Sequence, residues 1–169
     1  MTSIAKYFES CRLTYPDLST EDSEIWMKFN LLEELGEVAD TLQAFYFAER
    51  EEAEELREER FIEEIGDLLF FSAMAIDLYS SVGKIYNNYN GRIINRVAFP
   101  TKPSAYAYDI MDSILAEIRG LSDPDKASEH SLYLFHKIHS LIKFVLEDEL
   151  GLLEVMHTNM EKRKKKYNL

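Results

Sequence analysis

The sequence predicts an all-α helical bundle, and three observations carry that expectation. Apolar residues recur at helical spacing over several long stretches. No stretch of useful length alternates apolar and polar residues as a strand does. Only four prolines and six glycines punctuate the 169 residues, which favours long helices over a turn-rich β architecture. The length suits one domain with a real core, and a hydrophobic content of 46% argues against disorder. We therefore expect a single all-α domain over residues 1–169.

The elements follow in chain order. Residues 3–12 read as a short helix that stops before Tyr15-Pro16. Ser19 or Thr20 caps the next helix, which has acids in its first turn. That helix runs from about Asp22 to Phe47. Its apolar positions Leu31, Leu35, Val38, Leu42 and Phe45 keep the spacing of one buried face. Residues 49–60, EREEAEELREER, read as a solvated helix or helical connection with i,i+4 pairs. The helix over 61–82 is apolar nearly all round, with Ile62, Ile65, Leu68, Leu69, Phe70 and Phe71, as befits the centre of a bundle. Residues 83–104 contain Gly83, Gly91, Pro100 and Pro103 and predict a long irregular connection. Helices resume over 105–119 and 127–148. A last helix over 151–166 leads into the basic run KRKKKY.

Charge narrows the function classes. A formal net charge of −12 repels nucleic acid phosphates and anionic membranes, and it suits divalent cations. The N-terminus lacks the apolar core of a signal peptide. No apolar run approaches the ~20 residues that cross a bilayer. The single cysteine, Cys11, excludes an internal disulfide and reads as a packing residue, which fits a reducing compartment. The expectation is a cytoplasmic protein with no nucleic acid partner and no membrane contact.

Two acidic clusters interrupt apolar helical stripes: LLEELGEVADTL at 31–42 and FIEEIGDLLFF at 61–71. The spacing EExxE is not selective here, because 31 residues are Asp or Glu and the 49–60 run matches it too. Context selects. Glu34 and Glu37 lie one turn apart on one flank of the Leu31/Leu35/Val38 stripe, with Glu33 further round. Glu64 and Asp67 share a face of a helix with little polar surface to spare. Carboxylates in such a place need hydrogen bonds, protons or cations. Two helices that each offer an i,i+3 acid pair to one space supply hard oxygen ligands suited to Mg2+ or Mn2+. Gly36 and Gly66 sit inside the two pairs and point to close helix–helix approach.

These residues resemble the all-α NTP pyrophosphohydrolases, the MazG-like and dimeric dUTPase-like group. The family's EExxE followed by ExxD reads here as Glu33-Glu34-Leu35-Gly36-Glu37 and Glu64-Ile65-Gly66-Asp67. The C-terminal NMEKRKKKY is similar to the family's closing helix and maps Asn159, Lys162, Lys166 and Tyr167. The resemblance is good over 24–78 and fair over 150–167, while 83–148 look like a family-atypical helical insert.

The resemblance implies a reaction: a nucleoside triphosphate is cut between its α and β phosphates to monophosphate and pyrophosphate, with Mg2+ as cofactor and Mn2+ as a substitute. It implies Glu34, Glu37, Glu64 and Asp67 as metal ligands. Glu33 or Glu34 orients the attacking water, and sequence does not separate them. It also implies a homodimer or homotetramer. The role would be control of nucleotide pools. Two other readings stand beside it. One is a phosphoribosyl-ATP pyrophosphohydrolase-like enzyme, which the long insert does not suit. The other is a non-catalytic helical interaction module whose acids pair with Lys or Arg. An HD-type phosphohydrolase is disfavoured, since the chain has no His-Asp dipeptide.

The remaining candidates have bland alternatives. Lys162 and Lys166 reach phosphates, or else complement a helix C-terminus. Asn30 and Trp26 precede Glu34 by one and two turns; they touch sugar or base, or else are structural. The NNYNGR loop at 87–92, with Arg92, is more simply a surface loop. His136 and His139 have i,i+3 spacing, but no third nitrogen or sulfur ligand is near in sequence, so zinc is disfavoured. His157 stands alone.

Overall fold

A computed structural model describes residues 3–47, 54–81, 83–85, 102–147 and 151–168. The described residues contain no strand. Six principal helices build the protein: α1 (Ile4–Arg12), α2 (Thr20–Phe47), α3 (Glu54–Tyr79), α4 (Pro103–Gly120), α5 (Ala127–Leu146) and α6 (Gly151–Tyr167).

Local chemistry sets the ends. Ser3 Oγ accepts the Lys6 N–H at 3.3 Å to cap α1. Ser19 Oγ accepts the Asp22 N–H at 3.2 Å, and its hydroxyl donates to the Asp22 carboxylate at 2.7 Å. Ser19 is therefore the cap of α2, and Thr20 is its first helical residue. Helix α3 starts at Glu54, not at Phe61. The charged residues 54–60 are strong helix formers with no Gly or Pro, so they extend the apolar helix backwards. Residues 48–53, where the rest of the expected connection falls, lie outside the described residues. Helix α4 starts at Pro103, whose fixed φ suits the first turn. Helix α5 ends at Leu146, where Glu147 turns to φ 52° and leaves helical geometry.

The long helices pair antiparallel. Along α2 and α3, Arg57 reaches the Phe45 carbonyl at 3.3 Å, while Trp26 meets Phe71 at a centroid distance of 5.2 Å. Partners descend on one helix as they climb on the other. Helices α4 and α5 pair the same way, through Tyr106–Phe144 at one end and Glu117–His130 at the other. Helix α3 is the spine. Residues 68–76 are buried one after another, and α1, α2, α5 and α6 all pack on it. One continuous apolar core joins all six helices.

The 83–148 stretch therefore supplies a helical hairpin that is part of the core. An ion cluster clamps it. Glu117, 8% exposed, receives the Lys137 ammonium and lies 2.6 Å from His130 Nδ1. Glycine is required at 120, because a Cβ there would run into the His130 ring.

Cys11 is 1% exposed, and burial pushes its thiol up to about 12. It is a packing residue.

Candidate metal centre

Helices α2 and α3 bring Glu34, Glu37 and Glu64 together. One carboxylate oxygen from each lies within 4.8 Å of the others. The i,i+3 spacing on α2 puts two of these acids on the flank that faces α3. The antiparallel pairing then brings Glu64 level with them.

Electrostatics mark the cluster as under-neutralised. Glu34 is pushed up to about 8, first by burial and then by the negative charges of Asp67, Glu37, Glu64 and Glu33. Its Oε2 is shut off from solvent and has no hydrogen-bond partner among the described residues. Glu64 is pushed up to about 7 by burial, by its hydrogen bond with Glu37 and by that neighbour's charge. Glu34 and Glu64 are partly buried, while Glu37 is exposed. Carboxyls this close favour sharing a proton or binding a cation, because their like charges repel. The unpartnered buried oxygen and the all-carboxylate donor set fit a hard divalent ion.

Asp67 stands apart from the trio. It adds the largest charge effect on Glu34, yet its own oxygens face α6. Oδ1 accepts from Asn159 Nδ2 at 2.8 Å, and Oδ2 accepts from Lys162 Nζ at 2.6 Å. Arg163 stacks 3.0 Å above the Phe70 ring and reaches Asp67 at 3.7 Å. Lys162 also pairs with Glu63 at 3.0 Å. The space expected to gather four carboxylates thus gathers three, with the fourth engaged by basic side chains.

The other predicted residues divide. Glu33 is exposed on α2 and acts on Glu34 through its charge alone. Asn159 is 2% exposed. Its oxygen accepts from the Tyr7 hydroxyl at 3.2 Å and from Arg163 Nε at 3.3 Å, which makes it a buried strut. Trp26 packs edge-on against Phe71, and Asn30 donates to the Trp26 carbonyl at 2.7 Å. Lys166 is exposed beyond the cluster, 5.7 Å from the Tyr167 ring. The 87–92 loop with Arg92 lies outside the described residues. His136 is half-buried on α5, where burial lowers its pKa, and His157 is exposed on α6. Neither belongs to the acidic trio.

Sequence reasoning missed Tyr7, Glu63 and Arg163. Arg163 carried a signal: it sits one turn after Asn159, and one turn of helix is the spacing of a shared face. Nothing in the local sequence around Tyr7 pointed to α6.

Gly66 approaches α6 closely, since a Cβ there would lie 3.2 Å from Asn159 Cβ. Gly36 corrects the paired expectation: a Cβ there would meet nothing within 4 Å, because its face of α2 is open.

Comparison with protein-family models, curated proteins and solved structures found no match. No helix among the described residues is long and apolar enough to cross a membrane.

Proposed function

We propose that this chain is a Mg2+-dependent nucleoside triphosphate pyrophosphohydrolase, a cytoplasmic enzyme of nucleotide-pool control built on a MazG-like bundle. The observation that carries the reading is the convergence of Glu34, Glu37 and Glu64, one of which, Glu34, keeps a buried oxygen without a hydrogen-bond partner among the described residues. Such a trio repels a polyphosphate by itself. Mg2+, with Mn2+ as substitute, supplies when bound the positive charge that lets phosphate oxygens approach and offsets charge developing on them.

The chain's own residues do the rest. Glu34, Glu37 and Glu64 would hold the ion. Asp67 reinforces their field and, freed from Lys162, would be a further ligand. Lys162, 38% exposed at its side chain, pairs with Glu63 and Asp67 beside the trio and is suited to a phosphate oxygen. Glu33, exposed beside the trio, and Glu34 are the two groups available to orient a water for attack at the α-phosphorus. Asn159, Tyr7 and Arg163 hold Asp67 in place. Lys166, Asn30 and Trp26 have weaker claims on the substrate, given where they sit.

A second reading has one observation behind it. Glu63 and Asp67 already pair with Lys162 across α3 and α6, as acids would in a non-catalytic interaction module. That reading predicts no response to metal.

The deciding experiment is a panel of ribo- and deoxyribonucleoside triphosphates, assayed with Mg2+, Mn2+ and EDTA for pyrophosphate and monophosphate. Metal-dependent pyrophosphate release is expected. Glu64→Ala should lower turnover roughly 100-fold or more, since even indirect supports of a bound metal are worth ~10–100-fold. Silence across the panel, with no rise in melting temperature on adding Mg2+ or Mn2+, would overturn the enzyme reading.

A further inference from the structure

Helix α2 carries a second face, opposite its acidic trio. Ile25, Phe29, Leu32, Gly36, Ala39 and Phe47 fall on one side of the helix, and all are exposed. Between this face and α4 runs an apolar groove of about 460 Å3, whose far wall includes Tyr108, Met111 and Leu115. Its rims stand in solvent: Phe47 and Tyr108 are each 70% exposed, and Leu32 is 47% exposed. Its α2 side is low in the middle, because even a Cβ at Gly36 would meet nothing within 4 Å. Charge on the two walls has one sign. From Leu32 to Phe47 on α2, and from Ser104 to Leu115 on α4, there is no Lys or Arg, while Glu33, Asp40, Asp109 and Asp112 are exposed. Asp112 lines the groove itself. An apolar centre with a polar border is the anatomy of a protein interface.

We propose that this groove docks a basic amphipathic helix of another protein, with a stripe of large apolar side chains flanked by Lys or Arg. Shape argues for a helix. From Leu32 to Phe47 the groove runs for roughly 22 Å at ~1.5 Å per residue, the length of about four helical turns. Apolar residues one turn apart along the α2 wall suit anchors at positions i, i+3, i+4 and i+7 of a helix laid in a groove. The missing side chain at Gly36 lets that helix come close. Charge selects the flanks. Cations there meet Glu33 and Asp40 on α2 and Asp109 and Asp112 on α4, and a net charge of −12 steers them in. The same charges argue against other occupants. A second copy packed antiparallel about Gly36 would set Leu32 against Asp40 and Ala39 against Glu33, apolar on acid, and would bring two acidic borders together. Nucleic acid and anionic membranes are repelled. A small apolar ligand would keep much of its surface wet between rims that stand in solvent, whereas pockets for such ligands cover ~70–90% of it.

The groove and the acidic trio lie on different flanks of α2, so failure here leaves the hydrolase reading intact. The probes are two labelled helical peptides of about four turns. Both place Leu at i, i+3, i+4 and i+7; one fills the remaining positions with Lys and the other with Glu. Fluorescence anisotropy against the full chain should show the Lys peptide binding ~10-fold or more tighter than the Glu peptide, with an affinity that falls as salt rises. Charge attraction alone would do as much, so variants of the groove decide. Leu32→Asp and Phe47→Asp add negative charge, yet each should weaken the Lys peptide ~10-fold or more, the size of an interface hot spot. Both side chains already face solvent, so the helical circular dichroism should be kept. Asp112→Lys should weaken the Lys peptide too. Glu154→Lys, the same change of charge at an exposed position of α6, should have little effect. A wild-type chain that binds neither peptide would overturn the proposal. So would equal binding of both, the mark of an apolar site without charge selection, or a Lys peptide that binds both aspartate variants as tightly as wild type. A wild-type dimer in sedimentation velocity that Leu32→Asp abolishes would give the face to a second copy and overturn it as well.

Discussion

Lys162 Nζ lies 2.6 Å from Asp67 Oδ2, at the edge of the carboxylate trio. Burial alone would push this ammonium down. Its hydrogen bonds to Asp67 and Glu63 outweigh that and hold it above its ordinary pKa, so it stays charged at neutral pH. The lysine is a resident counter-cation for an acid that could otherwise join a metal site. Replacing it with the uncharged Lys162→Met should tighten Mn2+ binding about 3–10-fold by titration calorimetry, because a competing charge a few ångströms away is worth ~1 kcal/mol near a protein surface. The same variant should weaken triphosphate binding and raise KM. Unchanged metal affinity would show that Lys162 does not compete with the ion.

The metal-free protein should lose stability as pH rises. The folded state raises Glu34 to about 8 and Glu64 to about 7, from an ordinary 4.5. Both groups therefore hold protons in the folded chain that the unfolded chain gives up. Their contribution is complete below 4.5 and is lost as pH climbs through 7 and 8. The melting temperature in EDTA should fall across that window. Glu34→Gln, which stays neutral, should flatten the fall, and saturating Mg2+ should reduce it by stabilising the ionised carboxylates. Parallel curves for wild type and Glu34→Gln would remove Glu34 as the cause.

Gly66→Ala tests the strut behind Asp67. Alanine gains about 1 kcal/mol in helix propensity. Its Cβ would press on Asn159 at 3.2 Å. Asn159 is held by Tyr7, Asp67 and Arg163 and cannot easily give way. Overpacking of this kind costs ~1–3 kcal/mol, so against the propensity gain a net loss of up to about 2 kcal/mol is expected in urea unfolding. A stabilised variant would mean that Asn159 yields freely.

Glu117→Ala should be more damaging than its distance from the acidic trio suggests. It removes the acid that neutralises Lys137 and lies beside His130 at the α4–α5 junction. Breaking a buried pair on one side costs ~3–5 kcal/mol. With Lys137 and His130 each about a quarter exposed, roughly 2–4 kcal/mol is expected. Replacing Lys137 as well should recover part of the loss in a double-mutant cycle.

Most of the architecture follows from local rules that a sequence displays directly. Helical periodicity named the buried face of α2 through Leu31, Leu35 and Val38, and continuous apolarity marked α3 as the spine, because burial on all sides needs apolar residues on all sides. The acidic pairs were visible for the same reason: Glu34 and Glu64 sit at the edge of apolar stripes where a solvated acid has no cause to be, and Glu37 lies one turn from Glu34, on the exposed flank. Helix ends were less legible. The charged residues 54–60 favour helix as strongly as they favour solvent, and pattern alone does not distinguish the two. What sequence could not show was which side chains meet across the bundle. Asp67 follows the same rule as Glu64, yet a contact with α6, more than ninety residues along the chain, turns it toward Asn159 and Lys162. Tyr7 reaches the same asparagine from the other end of the protein. The exposed stripe on α2 reads as ordinary helix until its neighbours are in place. Periodicity is a property of one helix and is written in adjacent residues. Neutralisation of a buried charge, and the covering of a face, depend on how several helices come together.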